Sequence, residues 1–208
     1  MKFYLSSFRI GTEAHRLLEI TENGNRRVAF ISNALDYFTD LKERKRIEQN
    51  DISDLEQLGF QVELLDLKDY FEKPIELKEK IKAYDVFWVS GGNAFVLRQA
   101  MYLSGFDKVI KKFYEDKVDI VYGGFSAGVC VLGPTLKGIH LVDDPNEVPY
   151  SNHNDIIWSG LDILNYVIVP HYRSSHFESE AMEKVVEYMI ENKSLFIALS
   201  DGEVIVIA

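Results

Sequence analysis

The chain has 208 residues, of which 47% are hydrophobic and 27% charged, a composition typical of globular proteins. A formal net charge of −10 disfavours nucleic-acid binding, because phosphates are bound by Lys and Arg. No segment approaches the roughly 20 apolar residues that a membrane helix needs, the N-terminus lacks a signal-peptide pattern, and the single cysteine excludes an intramolecular disulfide, so we expect a cytoplasmic protein without a membrane partner.

Apolar runs that are rich in β-branched and aromatic residues alternate with helical patterns along the chain. The runs predict strands at 2–8, 27–32, 61–67, 86–90, 118–122, 166–170, 194–199 and 203–208. The helical patterns lie at 41–58, 76–83, 93–103, 106–116 and 177–192. This alternation predicts a single α/β domain over residues 1–208, a three-layer sandwich with a mainly parallel sheet. In such sheets, sites form at the carboxyl ends of the strands.

The main catalytic candidate is Ser126, in the sequence Gly124-Phe125-Ser126-Ala127-Gly128. This pattern directly follows an apolar strand and precedes a stretch compatible with a helix, which is the context of a nucleophile elbow. Bulky side chains two residues to either side of the serine would clash in such a turn. We therefore expect Ser126 to be a nucleophile, the alternative being a glycine-rich turn without chemistry.

A second strand-to-helix turn, Ser90-Gly91-Gly92-Asn93, follows the apolar run at 86–90. Adjacent glycines let the backbone approach a ligand and direct its N–H groups inward. Acyl transfer needs hydrogen-bond donors where the tetrahedral oxygen develops, so the N–H groups of Gly92 and Ala127 are candidates for an oxyanion hole. Asn93 is a candidate for substrate binding, and it is also a favourable N-cap, so a capped turn without a binding role is the alternative.

A serine nucleophile needs a base within hydrogen-bond reach, and histidine is the usual one near neutral pH. His171 is the favoured candidate, because it follows the apolar run Tyr166–Pro170 and so lies at the end of a strand. The other histidines rank lower. His15 is in an early helix, His153 lies in a polar loop and His176 is near a helix start, and the remaining one is His140.

The third member of a triad is a carboxylate that fixes the imidazole tautomer. Asp143 is favoured, and Asp144, Asp201 and Glu203 stay open, since the sequence alone does not choose among them. No spacing of His, Cys, Asp and Glu is typical of a metal site, so neither a metal nor an organic cofactor is expected.

Taken together, these motifs resemble the peptidase E family, the α-aspartyl dipeptidases, a group that includes cyanophycinase relatives. The resemblance covers most of the chain and is carried by the elbow and by segments that occur in the family's order: Ser90-Gly91-Gly92-Asn93-Ala94-Phe95, Pro134-Thr135, Gly160-Leu161-Asp162-Ile163-Leu164 and Val169-Pro170-His171-Tyr172. It implies the class I glutamine-amidotransferase-like, flavodoxin-like fold and a homodimer.

The resemblance also implies Ser126 as nucleophile, His171 as base and Asp143, within Asp143-Asp144-Pro145, as the acid, while cyanophycinase-like members use a late acid, which keeps Glu203 open. An aspartyl substrate would need a cationic partner, for which Arg173 is the main candidate and Arg98 a weaker one. The elbow departs from the family where it continues Gly128-Val129-Cys130 instead of Ala-Asn, and this bears on the substrate preference.

The sequence therefore predicts a serine peptidase that acts on short peptides, with N-terminal Asp as one preference. An esterase or other acyl hydrolase on the same elbow is an alternative, although no long apolar lid and no His-Gly-Gly-Gly run of the lipase type is present. A non-catalytic binding module that retains the fold is a second alternative, because fold does not imply function.

Overall fold

The computed structural model describes residues 1–150 and 155–208, in which strands and helices alternate. The strands are β1 (Lys2–Ser6), β2 (Arg27–Ile31), β3 (Gln61–Leu64), β4 (Val86–Val89), β5 (Val121–Phe125), β6 (Val167–Val169), β7 (Phe196–Ala198) and β8 (Val204–Ile207). The helices are α1 (Ala14–Ile20), α2 (Leu41–Gln57), α3 (Pro74–Ile81), α4 (Ala94–Ser104), α5 (Phe106–Glu115), α6 (Ala127–Cys130) and α7 (Ser179–Glu191). Each predicted strand and helix corresponds to one of these elements.

Six strands form the central sheet in the order β3-β2-β4-β5-β1-β8. Strands β3, β2, β4, β5 and β1 run parallel, and β8 pairs antiparallel with β1. The expected α/β fold with a mainly parallel sheet is confirmed. The sheet brings the carboxyl ends of β4, β5 and β1 side by side, and these ends lead into the two glycine turns and into Ser7.

Both faces of the sheet are covered by apolar side chains. Val86 and Trp88 belong to a cluster on one face with Leu17 of α1 and Leu55 of α2. Phe87 and Val89 belong to the larger cluster on the other face, which includes residues of α3, α4, α5, α6 and α7. Alternate residues of one strand therefore enter two cores, which is why the run at 86–90 is apolar without a polar side.

Strands β6 and β7 pair in parallel outside the central sheet, with Val169 opposite Ala198. The Leu199 N–H donates to the Val169 carbonyl at 2.9 Å, which extends the pairing beyond the last strand residues. The segments that follow β6 and β7 therefore leave the pair close together. They carry His171 and Asp201, which are thirty positions apart in sequence.

The helix that follows the Gly91-Gly92 turn is fixed at both ends. Asn93 caps α4, because its side-chain oxygen accepts hydrogen bonds from the N–H groups of Phe95 and Val96 at 2.8 and 3.2 Å. The helix ends at Gly105, whose φ of 77° is in the left-handed region that favours glycine. No helix in the described ranges combines the length and the apolar character needed to span a bilayer.

Candidate active site

Ser126 occupies a strained turn between β5 and α6. Its φ of 50° and ψ of −118° lie outside the regions that non-glycine residues usually adopt. Such strain persists only where the surrounding structure enforces it, and it is common at catalytic residues. The turn leaves Ser126 at the wall of a cavity of about 710 Å³, with 9% of the residue exposed.

The two glycines that flank Ser126 are required by the backbone of β4. A Cβ on Gly128 would lie 2.2 Å from the Val89 carbonyl oxygen, and one on Gly124 would lie 2.5 Å from the same atom. Neither distance is tolerated between non-bonded heavy atoms. The elbow is thus packed directly against the neighbouring strand, and glycine at both positions makes this approach possible.

The Gly91-Gly92 turn lies beside the nucleophile candidate. A Cβ on Gly91 would be 3.0 Å from the Cβ of Ser126, and both glycines line the cavity. Gly92 has a φ of 132°, which other residues rarely adopt. Within the described part of the chain, the N–H groups of Gly92 and Ala127 donate to no backbone acceptor. Neither N–H group is therefore engaged by a described backbone carbonyl.

His171 is held by Asp201. The imidazole is 1% exposed, and its Nδ1 lies 2.7 Å from Asp201 Oδ1. Because the partner of Nδ1 is a carboxylate, Nδ1 carries the proton and Nε2 offers its lone pair. Burial lowers the pKa of His171, although the hydrogen bond to Asp201 opposes this effect. A neutral imidazole with a free Nε2 is the form that a general base requires.

Ser7, at the end of β1, joins the two members of this pair. Its hydroxyl oxygen accepts the backbone N–H of His171 at 2.8 Å and lies 2.9 Å from Asp201 Oδ1, to which it can donate. Ser7 is fully buried. One side chain therefore fixes the backbone of His171, whose φ is 57°, and the carboxylate that holds its ring. No motif in the sequence marks Ser7 as a site residue.

Asp143, the acid favoured from the sequence, has a different partner. Its Oδ2 accepts the N–H of Ala94 at 2.8 Å, at the start of α4. Burial raises the pKa of Asp143 to about 7. Asp144 binds its own turn through Asn146, and the Glu203 carboxylate accepts the N–H of Ser200. Of the four acids considered, Asp201 is the one that the structure brings to His171.

The structure does not bring the expected substrate-binding side chains to the cavity. Both polar atoms of Asn93 are used internally, since its oxygen caps α4 and its amide donates to the Asp144 carbonyl at 2.9 Å. Arg173 is exposed, stacks over Tyr172 and lies outside the described cavity lining. Arg98 is buried and paired with Asp107 at 3.1 Å. In the structure these side chains serve as a helix cap, a surface side chain and a member of a buried ion pair.

Among the remaining histidines that the structure describes, His176 lies at the site. His15 is an exposed side chain near Glu13, and His140 accepts the N–H of Gly138 and packs against Trp158. His153 lies outside the described residues. His176 stacks on His171, with ring centroids 3.7 Å apart and an interplanar angle of 10°.

Glu178 is the other ionisable group beside the base. Its Oε2 lies 3.9 Å from His171 Nε2 and 3.6 Å from His176 Nδ1. Burial raises the pKa of Glu178 and lowers that of His176. These three side chains offer ligand atoms within 4.8 Å of one another, as a metal group would. However, imidazole lone pairs lie in the ring plane, so two stacked parallel rings cannot both bind one ion without reorientation.

The sequence model of peptidase family S51 matches residues 9–208, a range that contains Ser126, His171 and Asp201. The chain belongs to peptidase family S51. Family membership makes the protein a peptidase, and the expected resemblance to peptidase E is confirmed.

Relatives with sequence similarity are described as peptidases too. An uncharacterized peptidase of Listeria monocytogenes serovar 1/2a is 31% identical over 74% of this chain and 70% of its own length. An uncharacterized peptidase of Listeria innocua serovar 6a is 29% identical over 64% of the chain and 60% of its own length. One of Pasteurella multocida is 26% identical over 54% and 51%.

Solved structures of the same fold cover nearly the whole chain. A crystal structure from Listeria monocytogenes EGD-e, provisionally assigned as a peptidase E protein, is 25% identical with a TM-score of 0.73 and covers 99% of this chain and 96% of that one. A peptidase from an acI-B1 actinobacterium is 15% identical with a TM-score of 0.67, over 99% of this chain and 82% of that one, and shows the fold alone.

Proposed function

We propose that this member of peptidase family S51 is a serine peptidase that hydrolyses short peptides through a covalent acyl-enzyme. The observation that carries the proposal is one cavity lined by Ser126 in a strained elbow and by a histidine that is held through Nδ1 by a carboxylate. A nucleophile, a base and an orienting acid are the three roles that this chemistry requires.

In the proposed mechanism, Ser126 Oγ attacks the scissile carbonyl carbon while His171 Nε2 accepts its proton. Collapse of the tetrahedral intermediate breaks the C–N bond, and His171 delivers the proton to the leaving amine. A water molecule then attacks the acyl-enzyme, with His171 again as base, and releases the second product and the free serine. Asp201 holds the imidazole in the required tautomer throughout.

The N–H groups of Gly92 and Ala127 are proposed to stabilise the oxyanion of both tetrahedral intermediates. They belong to adjacent turns at the ends of β4 and β5, and neither donates a hydrogen bond to a described backbone carbonyl. Fixed backbone donors of this kind contribute to catalysis because they need not reorient as charge develops.

The described part of the site supports this chemistry without a metal ion, so activity should persist in EDTA. The proposal does not include a preference for N-terminal Asp, because Arg173 and Arg98 lie away from the cavity lining. We also propose a cytoplasmic location and a homodimer, as expected from the sequence. Light scattering of the purified protein would test the homodimer.

The experiment is hydrolysis of a dipeptide panel by the wild-type protein and by Ser126→Ala, followed by amine release in EDTA. We expect turnover of several dipeptides by the wild type and a loss of at least about 10³-fold in the variant. Short-chain esters tested in parallel separate a peptidase from an esterase. Equal peptide hydrolysis by the two proteins would refute the proposed nucleophile, and turnover of esters alone would refute the peptidase assignment.

A further inference from the structure

The carboxylate of Glu178 lies in the cavity wall without a hydrogen-bond donor. Its side chain is 23% exposed, and among the described residues it accepts no hydrogen bond. Its carboxylate does not cap α7, although Glu178 is the residue that precedes this helix. Buried or half-buried carboxylates are usually paired, so an unpaired one that faces a cavity points to a cationic ligand.

The side chains around Glu178 do not supply that positive charge. Its nearest neighbours are the imidazoles of His171 and His176, at 3.9 and 3.6 Å. Burial lowers the pKa of both imidazoles and so favours their neutral forms. Asp201, the other acid at this wall, is already paired with His171. With Glu178 and Asp201 ionised, the region beside the base carries a net negative charge. Burial raises the pKa of Glu178, and a bound ammonium group would favour its ionised form.

Each arginine of the cavity lining has one close carboxylate partner. Arg9 lies 2.6 Å from Asp54 through Nη2, while its Nε is 3.7 Å from Asp51 and makes no hydrogen bond to a described residue. Arg46 is paired with Glu43 on the same face of α2. No other Lys or Arg appears in the described lining. An acidic substrate side chain would therefore meet two arginines that each have a carboxylate partner, with the Arg9 Nε left without a hydrogen bond among the described residues, together with several carboxylates.

Much of the remaining cavity wall is aromatic. Its aromatic side chains, besides the two histidines, are Phe8, Tyr37, Phe38, Phe125 and Phe177. Phe8 packs edge-on against Phe125 and His171, with ring centroids 6.0 and 5.8 Å apart. This wall is suited to an apolar or aromatic side chain, because aromatic contacts of this kind add to the free energy of burial.

Glu178 lies where a carboxylate could bind the N-terminal nitrogen of a substrate peptide. In a peptide with a free N-terminus, the ammonium nitrogen of the first residue is about 2.5 Å from the carbonyl carbon of that residue. A carboxylate that binds it at about 2.8 Å therefore lies within about 5 Å of the scissile carbon. His171 Nε2 must also lie close to that carbon, and Glu178 Oε2 is 3.9 Å from Nε2.

We propose that Glu178 binds the protonated α-amino group of the substrate, and that the aromatic wall receives its first side chain. This inference rests on the proposed function and specifies its substrate class: short peptides with a free N-terminus and an apolar first residue, in preference to an acidic one. The scissile bond is then the one that follows the first residue.

The test compares Phe-Ala, N-acetyl-Phe-Ala and Asp-Ala as substrates of the wild type, Glu178→Gln and Glu180→Gln, all in EDTA. Glu180 is the matched control, because it is an exposed acid in the first turn of α7 outside the cavity lining. We expect Phe-Ala to have a kcat/KM at least tenfold above those of the other two peptides. Glu178→Gln should lower the kcat/KM for Phe-Ala at least tenfold, mainly by raising KM, whereas Glu180→Gln should leave it unchanged. Preference for Asp-Ala, or an equal loss on the free and acetylated peptides, would overturn the proposal.

A binding experiment separates this inference from the proposed function. Titration calorimetry in EDTA should detect phenylalaninamide binding to Ser126→Ala and at least tenfold weaker binding to Ser126→Ala/Glu178→Gln. Binding that depends on Glu178 without any peptide turnover would refute the peptidase mechanism and retain the ammonium site. Peptide turnover with binding that is unchanged in the double variant would refute the ammonium site alone.

Discussion

Replacement of Asp143 by Asn separates a structural acid from a catalytic one. The Asp143 carboxylate accepts the Ala94 N–H at 2.8 Å, and an Asn side-chain oxygen can accept the same hydrogen bond. The substitution therefore preserves the contact and removes the ionisable group. We expect Asp143→Asn to fold, to retain activity within about tenfold, and to differ from the wild type in how its stability depends on pH.

The expected magnitude follows from the raised pKa of Asp143. In the folded protein this pKa is about 7, against an ordinary value of 3.8. Each pKa unit of difference between folded and unfolded states corresponds to about 1.4 kcal/mol, which gives about 4 kcal/mol. Because the folded state binds the proton more tightly, this stability is present below the unfolded pKa and is lost as the pH rises to about 7.

Urea denaturation across this pH range, monitored by tryptophan fluorescence, measures the effect. The stability of Asp143→Asn relative to the wild type should increase by up to about 4 kcal/mol between about pH 4 and about pH 8. Asp51, whose pKa burial also raises to about 7, contributes equally to both proteins and cancels in the comparison. If the difference in unfolding free energy between the two proteins stays constant across this range, the raised pKa of Asp143 is refuted. A loss of activity of about 10³-fold or more would instead indicate that Asp143 is a member of the triad.

Three further predictions concern how the site is held together. Asp201→Asn should lower kcat by on the order of 10³–10⁴-fold in steady-state kinetics, because the imidazole loses the partner that fixes its tautomer, and a loss below tenfold would contradict its role. Ser7→Ala, which removes contacts to both His171 and Asp201, should lower kcat about tenfold with little change in KM; an unchanged kcat would contradict its positioning role. Gly128→Ala should lower the melting temperature by about 5 °C or more, since its Cβ would lie 2.2 Å from the Val89 carbonyl oxygen, and a wild-type melting curve would exclude this packing.

The parts of the fold and site that could be predicted from the sequence depend on local signals. Strand β4 is apolar on both faces because each face packs into a core, and such a continuous apolar run predicts a buried strand. The elbow at Ser126 needs glycines at fixed offsets, so the serine could be assigned without a structure. His171 could be ranked first because it follows a strand, where parallel sheets place their sites.

The acid could not be assigned in the same way, because its position depends on contacts between distant segments. Asp201 reaches His171 through the parallel pairing of β6 with β7 and through Ser7, which lies 194 positions away in sequence. Asp201 also follows a strand, so the strand-end rule could have raised it above Asp143, which follows a short turn. The direction of the β6–β7 pairing, which decides between them, has no local signature.

The residues of the cavity wall beside His171 also could not be predicted from the sequence. His176 and Glu178 come to His171 because the segment after β6 turns back on itself before α7 begins. Arg173, in the same segment, faces solvent instead. Side chains in irregular segments have no periodicity from which their direction can be read, so the substrate-binding residues could not be predicted from spacing.

The most direct test of the central claim is covalent labelling of Ser126 by a fluorophosphonate, followed by intact-mass spectrometry and peptide mapping. We predict a single adduct on Ser126 of the wild type, no adduct on Ser126→Ala, and labelling of His171→Ala that is slower by about 10²-fold or more. An adduct on another residue, or equal labelling of the wild type and Ser126→Ala, would contradict the assignment of Ser126 as the nucleophile.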